Sequence, residues 1–248
     1  MRILLSPAKK MRRDQDFLAP EGLPSYLSKA QKILAFLESL DGEALQKLWG
    51  CSDASARENL TRLQTMDLQK DLTPAILSYD GIAYQHMAPA VFTDKALSYV
   101  QDHLRILSGL YGVLKPLDGV TPYRLELQAK ARVEGCKDLY QFWGKDLYEG
   151  SRDESGVFIN LASKEYSKAV IPYLQPEDRF IDVTFCEMVK GKLTQKATFA
   201  KMARGEMVRF LAENQLEDPS AMADFQGLNY HFRPELSSDT EYVFERLP

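Results

Sequence analysis

The chain has 248 residues, enough to bury a large apolar core and near the upper end of what one α/β domain spans. With 45% hydrophobic and 27% charged residues it is not a chain disordered for want of a core, and a formal net charge of −4 excludes a protein that coats nucleic acid with its whole surface. Cys51, Cys136 and Cys186 are odd in number, far apart and without a C-x-x-C pair or a histidine at ligand spacing, which argues against a disulfide framework and against a zinc site.

Arg2 to Ser6 reads as a short buried strand that Pro7 stops, since proline cannot donate to a ladder. A loop to about Pro24 follows, carrying Lys9, Lys10, Arg12 and Arg13. From Ser25, expected as the N-cap, Leu27, Ala30, Ile33, Leu34 and Leu37 recur at helical spacing. Shorter helical stretches are predicted over 43–49 and 53–63, and another over 94–102. Residues 104–114 alternate and include small residues, which predicts one central strand entering a loop at Lys115-Pro116. Strands are expected over 157–161 and 179–188, with helical 163–170 between them and a turn at Gly191. A long helix over 195–213 and a closing hairpin of 228–232 with 242–246 complete the chain. Interspersed strands and helices predict a single α/β (mixed α+β) body around a mixed central sheet, surrounded by helices.

The run Leu45-x-x-Leu48-Trp49-Gly50-Cys51-Ser52-Asp53-x-x-Ala56-Arg57 has the layout of a helix-hairpin-helix over about 43–63. Gly50 permits a left-handed turn, Ser52 can cap the second helix, and free amides at that helix start suit a phosphate. An ordinary helical corner has the same pattern, and Asp53 would repel phosphate. A second constellation, Leu104 to Glu126, gathers Arg105, Tyr111, Lys115, Tyr123 and Arg124, cations and rings able to hold phosphate and stack bases. Its plain alternative is a structural loop in which Arg124 pairs with Asp118 or Glu126 and the tyrosines pack. A third group comprises Tyr79-Asp-Gly81-x-x-Tyr84, Tyr140 to Trp143, and Asn160-Leu-Ala-Ser163-x-x-Tyr166; Asn160 and Ser163 fall where a strand becomes a helix. A late basic cluster includes Lys190, Lys192, Lys196, Lys201, Arg204 and Arg209.

No Gly-rich phosphate loop, G-x-S-x-G, H-E-x-x-H or D-x-D-x-D-G pattern occurs, so no catalytic residue, metal or cofactor is assigned. His86, His103 and His231 are isolated. The Ile3-Leu4-Leu5 run is too short for a signal segment and no stretch reaches the ~20 apolar residues of a membrane span, so a cytoplasmic location without membrane contact is expected. No feature calls for an obligate protein partner.

Taken together, Ser6-Pro7-Ala8-Lys9, Tyr79-x-Gly81, the block from His103 to Asp118, Pro122-Tyr-Arg-Leu-Glu126, Lys137-Asp-Leu-Tyr-x-Phe-Trp143, Asn160-Leu-Ala-Ser163 with Tyr166, and Ala203-Arg-Gly205 resemble the YaaA family of peroxide-stress proteins from end to end. The resemblance implies a helix-hairpin-helix at Gly50 to Ala56 beside a positive cleft, and sequence-tolerant binding of double-stranded or structured DNA in the response to hydrogen peroxide. On that reading Gly50, Ser52 and Arg57 serve the hairpin, and Lys9, Lys10, Arg105, Lys115, Arg124 and Lys190 line the cleft. The alternative is an enzyme acting on a nucleobase or nucleotide, its pocket built from the Ser6/Lys9 loop and the 105–126 loop with Tyr111, Tyr123, Asn160 and Ser163.

Overall fold

A computed structural model describes residues 1–14 and 17–247. Its main sheet contains β1 (Arg2–Leu5), β2 (Leu104–Ser108), β3 (Gly112–Leu114), β4 (Val157–Asn160), β5 (Arg179–Val189), β6 (Lys192–Thr194), β7 (Tyr230–Phe232) and β8 (Glu241–Arg246). The strand order is β7-β8-β5-β4-β1-β2-β3, with β6 on β5. The five central strands β8, β5, β4, β1 and β2 run parallel, and β3, β6 and β7 add antiparallel hairpins. The sheet is therefore mixed, as expected.

β1 is central because it is apolar on both faces: Ile3 and Leu4 are fully buried and Leu5 nearly so, the composition of a strand covered on each side. β5 instead buries alternate residues, Ile181, Val183 and Phe185. The Phe185 ring packs on Phe225, Tyr230 and Phe244, which fixes the closing hairpin to the core. The first connection carries the chain from β1 to β2 on one side. The later crossing to β4 places that strand on the other side, so the connections diverge at the carboxyl end of β1.

Around the sheet lie α1 (Leu27–Glu38), α2 (Gly42–Trp49), α3 (Asp53–Gln64), α4 (Ile82–Met87), α5 (Asp94–His103), α6 (Leu139–Trp143) and α7 (Ala197–Glu213). α7 packs against α4 and α5. Its approach to α4 depends on Gly205, where an added Cβ would stand 2.0 Å from the Ala83 carbonyl oxygen. None of the helices is long and apolar enough to cross a membrane, among the described residues.

Several sequence expectations are corrected in detail. The expected single strand over 104–114 is a hairpin broken after Ser108. The Ser108 hydroxyl accepts the Tyr111 amide at 2.9 Å, and Gly112 takes φ +77°, so the chain reverses there. Ser25 is not the N-cap of α1; Tyr26 is, with no side-chain cap bond. The helical 163–170 is only one turn, Lys164–Ser167, followed by a 3-10 turn at Ile171–Tyr173 whose proline cannot extend the α-helix. Residues 15 and 16 of the expected basic loop lie outside the described residues.

Candidate functional site

Beyond the carboxyl ends of β1 and β4 a cavity of about 340 Å³ opens. This is where ligands settle in open α/β sheets, because the diverging connections leave a crevice there. The Ser6 to Lys10 loop leaves β1 and forms one wall. The second wall is the turn from Asp80 to Tyr84, the third the segment Tyr123 to Glu126, and the fourth Leu161 to Tyr166 after β4. α7 contributes Lys201 and Arg204.

Local bonding holds the walls in place. The Ser163 amide donates to the Ser6 hydroxyl at 2.8 Å, and Tyr84 donates its phenol to the Ser6 carbonyl at 3.0 Å. Lys10 and Met11 form a short antiparallel pairing with Tyr79 and Asp80. Gly81 permits the close approach of that turn, since a Cβ there would lie 2.7 Å from the Ala8 Cβ. At the cavity wall, Tyr123 shares hydrogen bonds with Ser108 and Tyr79 at 2.7 and 2.9 Å, and burial pushes its phenol up to about 12. These tyrosines are braces, neutral at any physiological pH.

The charges at the cavity are unequal in their freedom. Glu126 takes both Lys9, at 2.9 Å, and Arg124, at 3.0 Å. Arg124 thus takes one of the two carboxylate partners the sequence had offered it. Lys10 and Lys201 are exposed and form no ion pair among the described residues. Glu165 also lacks an ion pair among the described residues; it accepts the Gln128 amide at 3.2 Å, and burial raises its carboxyl above the ordinary range. Arg204 is held lower than an ordinary guanidinium, first by burial, which the Asp182 charge opposes.

A second cavity of about 260 Å³ adjoins the same basic segment further on, lined by Met11, Arg12, Arg13, Thr61, Arg62, Thr65, Thr121 and Pro122. Residues 9–13 therefore run from the mouth of the first cavity to α3. The segment is anchored: the Arg12 amide donates to the Ser78 carbonyl at 2.8 Å, and Ser78 returns its hydroxyl to the Arg12 carbonyl at 2.9 Å. Arg57 and Thr61 lie four residues apart on one face of α3, and Thr65 follows them as its C-cap. Arg57 and Arg13 are exposed without ion pairs among the described residues, whereas Arg62 pairs with Glu58 and Arg12 stands 3.8 Å from Asp14.

α2 and α3 form the expected helix pair. Gly50 ends α2 with φ +54° and donates to the Gln46 carbonyl at 3.0 Å. Ser52 occupies the N-cap position of α3 but makes no side-chain cap bond; its hydroxyl is 3.3 Å from that of Ser55. The Asp53 carboxylate accepts from the Gln46 amide group at 2.7 Å.

Not every residue singled out in the sequence comes together. Ser6, Lys9, Lys10, Tyr123, Arg124 and Ser163 line the first cavity. Tyr111 is fully buried, its phenol accepting the Thr121 amide, and Asn160 bonds Asp182 at 2.6 Å while accepting the Ala162 amide. Neither lines the cavity. Arg105 is 6% exposed; its guanidinium donates to the Gln101 and Leu104 carbonyls near Arg2, Asp102 and Asp153, at the opposite end of β1 from Ser6. Lys115 follows β3 beside Asp118, and Lys190 sits at the turn between β5 and β6 with φ +50°. The cations expected along one cleft are thus distributed over separate regions. The lining residues Tyr84, Tyr166, Lys201 and Arg204 belonged to motifs or clusters visible in the sequence, but Glu165 carried no signal.

Fold and site together define a mixed α/β protein with an open cavity at the divergence point of its central strand and a basic segment leading from it to a helix pair. The chain belongs to the peroxide stress protein YaaA family, whose model matches residues 1–236. It is 54% identical over 246 residues to a UPF0246 protein of Agathobacter rectalis, covering 99% of each chain. UPF0246 proteins of Pediococcus pentosaceus, with 98% of this chain and 97% of that one covered, and of Limosilactobacillus reuteri, with 99% of each covered, are both 50% identical.

Proposed function

We propose that this protein serves the peroxide stress response by binding DNA without sequence preference, along the strip formed by Lys10, Arg12, Arg13 and the Arg57 face of α3. The observation that carries this reading is the path of residues 9–13, which joins the first cavity to α3 in one anchored run of cations. An acidic molecule binds a polyanion only through such a local concentration of positive charge. The strip replaces the broader cleft: Lys9 and Arg124 are occupied by Glu126, and Arg105, Lys115 and Lys190 stand elsewhere.

The helix pair supports the reading as a helix-hairpin-helix. The first turn of α3 leaves amides at Asp53, Ala54 and Ser55 without intrahelical acceptors, and the Ser52 side chain does not cap them. A phosphate held there would sit next to Arg57. Asp53 weakens that contact, so the side-chain cations carry most of the binding.

The test is duplex affinity across a salt series for the intact chain and for a Lys10→Ala/Arg13→Ala/Arg57→Ala variant. Loss of three phosphate partners should weaken binding about tenfold or more and flatten the salt slope by about 2 to 3. Equal affinity and equal slope in the two proteins would exclude the strip.

A further inference from the structure

The first cavity has a chemistry that phosphate binding along the strip does not use. Its depth is apolar, formed by Leu5, Leu161, Tyr84, Tyr123 and Tyr166. Its volume of about 340 Å³ falls within the range of pockets that enclose small organic ligands. A purely apolar guest would not need what stands around it. Glu165 is a half-buried carboxylate with no ion pair among the described residues and one amide donor, so its remaining acceptor positions are open to a ligand in the cavity it lines. Lys10 and Lys201, which line the same cavity, are exposed cations with no ion pair among the described residues.

A ligand that satisfies all three features is flat and largely apolar over its faces, carries amino hydrogens on one edge, and bears an anion outside the ring. We propose that the cavity binds one nucleotide unit, its base among the tyrosines and leucines, an exocyclic amino group donating to Glu165, and its phosphate outside against Lys10 and Lys201. Carboxylates accept from amino groups on bases, and aromatic walls accept base rings. The unit reaches the cavity either as a free mononucleotide or as an unpaired nucleotide within a strand, and the two sources share this chemistry. The proposal goes beyond DNA binding along the strip and does not require it.

The experiment titrates the full chain by calorimetry with AMP, CMP, UMP and inorganic phosphate, and in parallel measures affinity for a paired duplex and for the same duplex with one bulged adenosine. Ile82→Trp fills the cavity; Ile82 lines it and is only half-buried, so the core is spared. Glu165→Gln keeps an acceptor for the Gln128 amide while removing the charge. Saturable AMP and CMP binding, several-fold tighter than phosphate and weakened about tenfold by Ile82→Trp, supports the free nucleotide. A preference for the bulged duplex that Ile82→Trp abolishes, with paired-duplex affinity unchanged, supports the strand source. In whichever arm binds, Glu165→Gln should narrow the preference for amino-bearing bases over uracil. The proposal is overturned if neither arm binds, or if binding survives Ile82→Trp unaltered. Paired-duplex binding that stays salt-dependent while both cavity arms fail would sink the nucleotide site and leave the strip standing.

Discussion

At one end of β1 the Arg105 guanidinium donates to two backbone carbonyls inside the fold, whereas at the other end Lys10, Lys201 and Glu165 surround open space without ion partners among the described residues. Both ends bring cations and carboxylates near one another. Burial dominates at the Arg105 end: it pulls the guanidinium down to about 10, and it pushes the Asp118 carboxyl up to about 6 despite the nearby cations. Those groups are structural, their hydrogen bonds met by the Lys115 amide and by carbonyls. At the Ser6 end burial is partial and the charges remain available to a ligand. A positively charged residue in the sequence thus predicts function only once its partners are known.

The sharpest way to break this contrast is to spoil the wall that carries Lys201 and Arg204. Gly205→Ala places a methyl against the Ala83 carbonyl, and overpacking of this kind costs about 3 kcal/mol. Denaturant unfolding should register that loss; a stability unchanged within error would mean that α4 and α7 do not approach as described.

A somewhat smaller effect probes the other end. The Asp118 carboxyl has a folded pKa near 6, above the ordinary carboxyl value of about 4, so the native state binds its proton more tightly than the unfolded chain does. Its contribution to stability is fully present below about pH 4 and is lost as the pH rises through about 6. Asp118→Asn should therefore stabilise the protein at pH 7 by on the order of 1 to 2 kcal/mol and leave it nearly unchanged at pH 4. A variant less stable at pH 7 than at pH 4, each relative to the parent, would show that attraction to Arg105 outweighs burial.

Gly50→Ala should cost about 1 kcal/mol, because alanine resists the left-handed conformation that ends α2. Thermal melting checks it, and a neutral result would place the turn in another conformation. Smallest of all, Lys115→Ala and Lys190→Ala should each alter duplex affinity by less than about twofold at moderate salt, since neither cation belongs to the strip. A larger loss in either would restore the broad cleft.

Much of the architecture was legible because it rests on local patterns. The apolar run Ile3-Leu4-Leu5, the spacing in α1, the Gly50 turn and the Lys190-Gly191 hairpin each follow from a few neighbouring residues and the backbone geometry they permit. The failures share a cause as well. The 104–114 segment alternates like a strand, but a hydroxyl-to-amide bond at Ser108 and the positive φ of Gly112 fold it back, and neither is decided by hydrophobic period. Ser25 is a good capping residue, yet the helix starts after Tyr26.

The sequence by itself determined the mixed α/β class, the helix pair and, through motifs running the length of the chain, the family. Tertiary structure alone decided which charges are free. Lys9 and Arg124 meet Glu126, Arg105 turns inward, and Lys10, Arg13, Arg57 and Lys201 remain unpaired among the described residues. Charge is written into each residue, but its availability depends on distance to partners far away in the chain and on the dielectric around both.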